Sequence, residues 1–342
     1  MSHAVSVTPQ VEAWLRCPRC RAALVREDRC YRCADEGHRW PIVLGIPDFR
    51  LSEDPLIPRE DDYRKGEKLL GEAATRAFKD LVAYYWTLPT YPPTPADLSA
   101  RFIHHVLTDE DRARGYADSL GRGHAFMDVG CGAGVLAQAM ASRFAVSVAV
   151  DVGFRWLVVA RRGFEERGLP VNILCANAEH LPFGDAHFDT VASIALLEHV
   201  PRAEAVLAES ARVAVPGGRV FVSTSNRFSL APEPHVRVWG VGFLPRRWMP
   251  AYVHWRRGLA YEQKHLLSAG ELVRGMRRAG LAPVRLEPPV VTPVDLALMG
   301  SGERLGARAW ALARRLPVVG RLLLRFFPVL QAVGFNPPEP TS

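Results

Sequence analysis

The hydrophobic positions in the middle of the chain form short runs that are separated by turn residues. Residues 125–129 and 146–150 have the length and composition of buried strands, and the apolar segment 135–143 between them predicts a helix. This alternation of strands and helices predicts an α/β domain with a largely parallel sheet.

Helical patterns are expected on both sides of this domain. Residues 63–86 and a segment near 102–107 predict helices that either cover the site or pack as ordinary structure, and a proline-rich connector lies between them. Arginines and apolar residues recur at helical spacing over 303–316 and again after Pro317, which predicts C-terminal amphipathic helices. These helices either bind a membrane or pack on the catalytic domain or a second subunit.

Composition and charge narrow the class of protein. The 342 residues are 48% hydrophobic and 23% charged, as in folded globular proteins. The net charge of +7 is uneven, because residues 227–342 carry 17 basic and 7 acidic side chains. That excess indicates an anionic lipid surface or nucleic acid, although arginine-rich composition can also reflect the genome. We expect a cytoplasmic protein without a secretory signal or a membrane span.

Four cysteines form two pairs with the spacing of metal-binding knuckles. Cys17 with Cys20, and Cys30 with Cys33, predict a closed structural Zn²⁺ site of four thiolates, in which His38 could replace one ligand. Two disulfides are the alternative that a reducing cytosol disfavours, and a ribbon without metal is another. Residues 17–49 resemble the small zinc ribbons that are fused to, or partnered with, methyltransferases.

A glycine-rich turn follows the first predicted strand. Gly130, Gly132 and Gly134 let the backbone turn tightly and approach a ligand closely. Asp151 ends the second predicted strand, where a carboxylate can accept hydrogen bonds from both hydroxyls of a ribose. Asp128, two residues before Gly130, would repel a diphosphate and attract an ammonium or sulfonium group. The turn therefore favours S-adenosylmethionine over a dinucleotide.

Residues 120–285 resemble the class I S-adenosylmethionine-dependent methyltransferases. The similar motifs are residues 128–134, 150–151, 177–183, 188–189, 197–200 and 212–218. The resemblance implies a Rossmann-like α/β fold with a seven-stranded sheet and helices on both faces, in which the final strands come from segments near residues 219–225 and 283–286. It also places the three glycines beside the methionine portion, Asp151 at the ribose, and Asn177 and Ala178 at the adenine edge. The family usually has aspartate at the position of Asn177, whose amide oxygen can still accept from the adenine amino group.

Methyl transfer to a hydroxyl needs alignment of the acceptor and one base. The candidates are His199, after the fourth strand, and His235 and His265 in the insert at 228–267. Residues 220–227 resemble a stretch of the ubiquinone-biosynthesis O-methyltransferases, in which an insert at this point forms a membrane-associating lid. Aromatic residues interleaved with arginines in this insert suit a bilayer interface, and they could also bind RNA.

The sequence thus predicts four parts: a zinc ribbon (1–50), a helical linker or cover (51–115), a methyltransferase domain (116–290) and C-terminal helices (291–342). We expect O-methylation of a small hydrophobic or lipid-like acceptor at a cytoplasmic membrane surface. A ribosomal RNA base methyltransferase is the main alternative, although residues 1–50 hold 8 basic and 6 acidic side chains and so lack a strongly basic face. A non-catalytic cofactor-binding activator is another. The oligomeric state is not predicted.

Overall fold

A seven-stranded sheet forms the centre of the protein in a computed structural model, which describes residues 6–89, 94–262, 264–289 and 322–338, with 296, 300, 302, 304–306 and 310. The strand order is β10-β11-β9-β8-β5-β6-β7. The strands are β5 (Gly123–Val129), β6 (Phe144–Asp151), β7 (Val171–Cys175), β8 (Phe188–Ile194), β9 (Ala214–Ser225), β10 (Val284–Glu287) and β11 (Val329–Phe335). The predicted α/β fold with a seven-stranded sheet is confirmed.

Strands β5 to β9 are parallel, and β11 runs antiparallel to both β9 and β10. Met127 of β5 lies opposite Val148 of β6 and Val191 of β8. These central strands are buried on both faces, which explains why their sequences are continuous apolar runs without alternation. The parallel arrangement brings the carboxyl ends of β5, β6, β7, β8 and β9 to one edge of the sheet.

Helices cover both faces of the sheet. Met127 and Val129 pack in a cluster with α8 and α10, whereas Phe126, on the opposite face, packs with α4, α5 and α6. Side chains of α2, α3 and α7 extend this second face over β6 and β7. The helices are α4 (Ala96–Gly115), α5 (Ala117–Leu120), α6 (Val135–Met140), α7 (Phe154–Glu166), α8 (Ala203–Val213) and α10 (Ala269–Arg278).

The seventh strand comes from a segment that we expected to be helical. β11 inserts between β9 and β10, and five of its seven residues are buried. The helical prediction depended on arginine spacing that ends at Arg325, but Leu330 to Gly334 carries no charge and is buried within the sheet. The sheet therefore extends beyond the expected domain boundary at residue 290. Most of the predicted helices between 303 and 321 lies outside the described residues.

The N-terminal residues form a small module along the edge of the large sheet. It contains α1 (Pro9–Trp14) and an antiparallel sheet of β1 (Leu24–Arg26), β2 (Cys30–Cys33), β3 (Arg39–Val43) and β4 (Ile46–Pro47). Just after β4, the amide of Phe49 donates to the carbonyl of Cys175 at 2.7 Å, so the chain continues beside β7. Leu15, Trp40 and Phe49 share one hydrophobic core with the strands of the large sheet.

Two helices replace the single helix expected over 63–86. They are α2 (Arg59–Ala73) and α3 (Phe78–Tyr85). The ring of Tyr85 stacks on Trp156 of α7 with centroids 3.9 Å apart, and Trp86 stacks on Phe102 of α4. These aromatic residues therefore hold the helices together by ordinary packing.

The insert at 228–267 has a small hydrophobic cluster of its own, which includes Val241, Val253 and Tyr261. Its helix is α9 (Met249–Arg257). Its outer surface exposes large aromatic side chains, with Trp239 60% exposed and Trp255 74% exposed. Among the helices of the described residues, none is both long enough and apolar enough to cross a bilayer.

Candidate active site

The glycine loop after β5 adopts a backbone that favours glycine. Gly130, Gly132 and Gly134 have φ values of +74°, +50° and +73°. A Cβ atom at Gly134 would lie 2.6 Å from the ring of Phe164, so a side chain there would also clash with α7. The amides of Gly130 and Cys131 donate to the carbonyl of Val150, which ties the loop to β6.

Two carboxylates flank this loop, of which Asp128 is buried and Asp151 is half-buried. Asp151, at the end of β6, accepts from the amides of Gly132 at 2.8 Å and Gly153 at 2.7 Å. Asp128, in β5, accepts from the amide of Ala137 at 3.2 Å. Burial raises the pKa of Asp128 to about 7 and the pKa of Asp151 to about 6. Because burial penalises their charges, a cationic ligand held near both carboxylates would be favoured. These residues therefore fit S-adenosylmethionine.

Asn177 lies in the turn after β7, but its amide faces the N-terminal segment. Its Oδ1 atom accepts from the amides of Leu51 at 2.8 Å and Ser52 at 3.1 Å. Its Nδ2 atom donates to the Oγ atom of Ser52 at 3.0 Å and to the Ser52 carbonyl at 3.3 Å. These four contacts use the full hydrogen-bonding capacity of the amide. Ala178, the second residue predicted at the adenine edge, is buried next to it.

A set of buried charges connects the N-terminal segment to the residues after Asp151. This set, here called the Arg50 network, consists of Asp48, Arg50, Asp54, Asp62 and Arg155. The Arg50 guanidinium contacts Asp48 at 2.6 Å and Asp62 at 2.7 Å, and it donates to the carbonyl of Val152. Asp62 also accepts from the amide of Arg155 at 3.1 Å, at the start of α7.

A second polar cluster lies beyond the carboxyl ends of β8 and β9. This cluster, here called the His199 chain, consists of Lys264, His199, His235 and Glu233. Lys264 Nζ lies 2.8 Å from His199 Nδ1, His199 Nε2 lies 3.2 Å from His235 Nε2, and His235 Nδ1 lies 2.6 Å from Glu233 Oε1. With a lysine at one end and a glutamate at the other, this order of contacts lets each imidazole accept from its Lys264 side and donate toward Glu233.

The surroundings of the His199 chain keep His199 unprotonated. Burial, and then the charge of Lys264, lower the pKa of His199 to about 3. Burial also lowers the pKa of Lys264. Beneath the chain, Glu198 accepts from the hydroxyls of Thr224 at 2.6 Å and Ser225 at 2.8 Å.

The His199 chain lies next to the glycine loop. His199 ends the 3₁₀ turn Leu197–His199 after β8, and the preceding Leu196 packs so closely on Gly130 that a Cβ there would lie 2.9 Å away. The structure thus brings His199 and His235 together beside the loop. The third candidate, His265, is exposed, and its backbone amide donates to the Glu198 carbonyl.

Ligand atoms of Glu198, His199 and His235 all lie within 4.8 Å of one another, a spacing at which a metal could bind. A metal cation at this point would be repelled by the Lys264 ammonium, which lies 2.8 Å from His199 Nδ1. Proton transfer therefore suits this cluster better than metal binding.

The cysteine pairs form a different cluster from the predicted one. Ligand atoms of Cys17, Cys20, Cys33 and His38 lie within 4.8 Å of one another. The Cys20 and Cys33 Sγ atoms are 3.3 Å apart, and His38 Nδ1 lies 3.6 Å from Cys17 Sγ. These separations are close to the edge of a tetrahedral zinc site, roughly 3.7 Å for Zn–S bonds of about 2.3 Å.

Cys30 does not join this cluster, in which His38 takes the fourth position, and the set of four thiolates stays a prediction. Its Sγ atom lies 3.2 Å from Glu27 Oε2. Cys30 and Cys33 are the first and last residues of β2, and side chains three positions apart on a strand point to opposite faces. Although burial opposes it, the amide of Glu36 and the neighbouring Cys20 lower the pKa of Cys33 to about 6. A thiolate is the form of cysteine that binds zinc.

Comparison with known proteins agrees with this geometry. Residues 127–222 match the family described as "Methyltransferase domain". The ubiquinone biosynthesis O-methyltransferase of Azoarcus sp. (strain BH72) is 33% identical over 179 residues, which cover 50% of this chain and 70% of that protein. That of Idiomarina loihiensis is 31% identical over 177 residues, which cover 50% of this chain and 67% of the relative. The chain belongs to the class I S-adenosylmethionine-dependent methyltransferases. The resemblance seen in the sequence is thereby confirmed.

Solved methyltransferases also align with this methyltransferase. An S-adenosylmethionine-dependent methyltransferase from Thermotoga maritima is 18% identical with a TM-score of 0.45, covering 70% of this chain and 94% of that one. Phosphoethanolamine N-methyltransferase 2 of Haemonchus contortus, in complex with S-adenosyl-L-methionine, is 17% identical with a TM-score of 0.45, covering 66% of this chain and 52% of that one.

Several residues of this methyltransferase's site were missed in the sequence. Lys264 and Glu233 do not belong to any of the matching motifs. The available signal was that Lys264 is one of only four lysines in the chain and adjoins His265. Glu198 precedes His199 within a matching motif. Ser52 lies 125 residues from Asn177, and no local pattern marks their contact.

Proposed function

We propose that this methyltransferase methylates a hydroxyl group on a small amphiphilic acceptor at a membrane surface. The His199 chain beside the glycine loop carries this proposal, because a hydroxyl acceptor must lose a proton and the chain offers a path for it. The O-methyltransferase relatives support the same acceptor atom.

The cofactor supplies an activated methyl group when bound. The glycine loop would hold it closely, Asp151 would bind its ribose, and Asp128 would favour its positive charge. The acceptor hydroxyl takes the place of Lys264 Nζ at His199 Nδ1, where the two nitrogens are 2.8 Å apart, and the ammonium stays beside the oxygen. Alignment of acceptor and methyl group, with exclusion of water, provides most of the rate enhancement.

The proton then leaves along the His199 chain. His199 Nδ1 takes the proton of the hydroxyl, His199 Nε2 passes its own proton to His235 Nε2, and His235 Nδ1 passes its proton to Glu233. One proton has moved from the acceptor oxygen to Glu233, and both imidazoles are neutral again. Onward transfer is needed because the low pKa of His199 disfavours an imidazolium there. The Lys264 ammonium stabilises the negative charge on the oxygen.

The insert supports an acceptor that partitions into membranes. His235 and Lys264 belong to the same insert as the exposed rings of Trp239, Trp248 and Trp255. The Arg256 guanidinium lies 5.6 Å from the centroid of Trp255. Indole rings with arginines beside them suit the headgroup level of an anionic bilayer. An acceptor could then enter from the bilayer directly beneath the insert.

The N-terminal module is proposed to hold a structural Zn²⁺ ion through Cys17, Cys20, Cys33 and His38. Four ligands leave no position for a substrate, so the ion would stabilise the fold of the module.

Label transfer tests the proposed function. The full chain is incubated with methyl-labelled S-adenosylmethionine and either the lipid extract or the total RNA of a strain that lacks its gene. We expect label in the lipid fraction, in a product that keeps its label in mild base and releases it as methyl iodide under ether-cleaving conditions with hydriodic acid. The Asp151→Ala variant is the control and should transfer none. Label in RNA alone would overturn the acceptor class.

A further inference from the structure

A short segment between the N-terminal module and α2 runs across the cofactor end of the sheet. This segment, residues 48–54, is here called the strap. Asp48 forms a parallel bridge with Cys175 at the end of β7, and Arg50 donates to the carbonyl of Val152, next to Asp151. Farther along, the strap contacts Asn177. The strap thus passes both residues that the family resemblance assigns to the ribose and the adenine.

We propose that the strap is the adenine-side wall of the cofactor pocket, and that Asn177 acts on the cofactor by holding the strap, not by touching the base. This inference rests on the cofactor site proposed above. It makes Ser52 and Leu51 determinants of cofactor affinity, and Asn177 a positioning residue.

The hydrogen bonds of Asn177 support this role. Leu51 and Ser52 occupy both lone pairs of its Oδ1 atom, and Ser52 occupies both protons of its Nδ2 atom. To accept from an adenine amino group, Asn177 would have to release amides of the strap. Asn177 is buried, and breaking such bonds without replacement is costly.

The Arg50 network explains why the strap does not move aside. Arg50 and Asp48, both within the strap, have fully buried side chains, and Asp54 at its far end contacts Arg155 at 2.7 Å. Moving the strap would separate these buried ion pairs, so the strap is a fixed part of the pocket.

A backbone substitution in the strap tests the proposal. Ser52→Pro removes the Ser52 amide donor and the hydroxyl that meet Asn177, and we expect it to weaken S-adenosylmethionine binding roughly tenfold or more in calorimetric titration. Glu60→Ala, which truncates an exposed side chain of α2 outside the strap, should bind as the wild type does. Wild-type affinity in Ser52→Pro would overturn the proposal.

A cofactor analogue tests the role of Asn177 in the unmodified protein. S-Inosylhomocysteine carries a carbonyl in place of the adenine amino group. If Asn177 stays hydrogen-bonded to the strap, this analogue and S-adenosylhomocysteine should bind with affinities within about threefold of each other. If Asn177 instead contacts the adenine amino group, the analogue should bind roughly a hundredfold more weakly. An affinity for the analogue that is more than about thirtyfold lower would therefore show that Asn177 contacts the base.

Hydrogen exchange gives a readout that does not depend on a variant. S-Adenosylhomocysteine should slow exchange in the peptide that contains Leu51 and Ser52, because the bound ligand would cover this wall and suppress its local opening. Unchanged exchange in that peptide, with ligand bound, would contradict the proposal. If the wild-type chain binds neither S-adenosylmethionine nor its product, the proposed cofactor site fails. If the wild-type chain binds these ligands but hydrogen exchange in the strap does not change, only the strap proposal is contradicted.

Discussion

Two buried polar clusters lie at the same edge of the sheet and are built differently. On the N-terminal side, the Arg50 network pairs each guanidinium with carboxylates, and Arg50, Asp48 and Asp62 have no exposed side-chain surface. On the insert side, the His199 chain joins a lysine to a glutamate through two imidazoles. The first arrangement fixes a position, whereas the second can pass a proton.

The difference follows from the cost of burying charge. Fully paired ions in a dry interior hold one geometry, since separating them leaves an unpaired charge. Imidazoles between a cation and an anion can exchange protons with little movement of heavy atoms. We therefore assign the N-terminal side to the cofactor and the insert side to the acceptor, and this assignment can be tested.

The largest effect is expected from removing the base on the insert side. His199→Gln interrupts the proton path and should lower kcat by roughly 10²- to 10⁴-fold, the usual contribution of general-base catalysis. Single-turnover methyl transfer with cofactor affinity measured in parallel is the readout. His265→Gln changes an exposed ring and serves as the control. Equal rates in His199→Gln and the wild type would remove the functional assignment of the chain.

On the N-terminal side, the largest effect should be on stability. Asp62→Ala leaves the buried Arg50 and Arg155 without a shared partner, so we expect a loss of about 3–5 kcal/mol in the free energy of unfolding. Urea denaturation measures it. Asp61→Ala removes the adjacent carboxylate, whose partner Arg64 is 70% exposed, and should cost less than about 1 kcal/mol. Similar losses in both variants would contradict the role of the network.

Metal affinity distinguishes a zinc site that includes His38 from a zinc site of four cysteine thiolates. Cys33→Ser and His38→Ala should each weaken Zn²⁺ binding by at least roughly a hundredfold, because each removes one of four ligands. Cys30→Ser is the matched control and should bind zinc as the wild type does, since Cys30 faces Glu27. Competition with a chromophoric chelator gives the affinities. A larger loss in Cys30→Ser than in His38→Ala would restore the four-thiolate site.

The affinity for S-adenosylmethionine should depend on pH. The pKa of Asp128 is raised to about 7 and that of Asp151 to about 6, so both carboxyls gain protons as the pH falls through this range. A cationic ligand favours the ionised forms, and affinity should therefore drop roughly tenfold between pH 8 and pH 6. Titrations at several pH values measure this drop. Asp128→Asn should bind more weakly at pH 8 and show a flatter profile; an unchanged profile would show that Asp128 is not the titrating group.

The smallest effect is expected at the surface of the insert. Trp255→Ala removes the most exposed indole of the insert and should lower the fraction that floats with anionic vesicles by a few-fold. Val25→Ala, at an exposed apolar position of the N-terminal module, should leave flotation unchanged. If both variants float equally well, the insert is not the membrane-facing surface.

The parts of the site that depend on local backbone could be predicted from the sequence. Gly130, Gly132 and Gly134 are needed for the conformation of one turn, and Asp151 follows its strand directly. The Cys17, Cys20, Cys33 and His38 cluster was only partly predicted, because pair spacing indicated Cys30 whereas the direction of its side chain depends on β2 being a regular strand. Lys264 and Ser52 reach their partners across 65 and 125 residues, so only the folded chain shows these contacts.

The position of β11 has a consequence for biosynthesis. In the described sheet, β10 pairs with β11 and not with β9, and β11 is more than 40 residues farther along the chain than β10. While the ribosome is still producing the residues between them, β9 has an open edge and β10 lacks its neighbour. An unpaired strand edge can form hydrogen bonds with strands of other chains and so lead to aggregation. Release of the final strand from the exit tunnel is therefore the step that closes the sheet, and a chain stopped near residue 290 would expose the edge of β9 for as long as it exists.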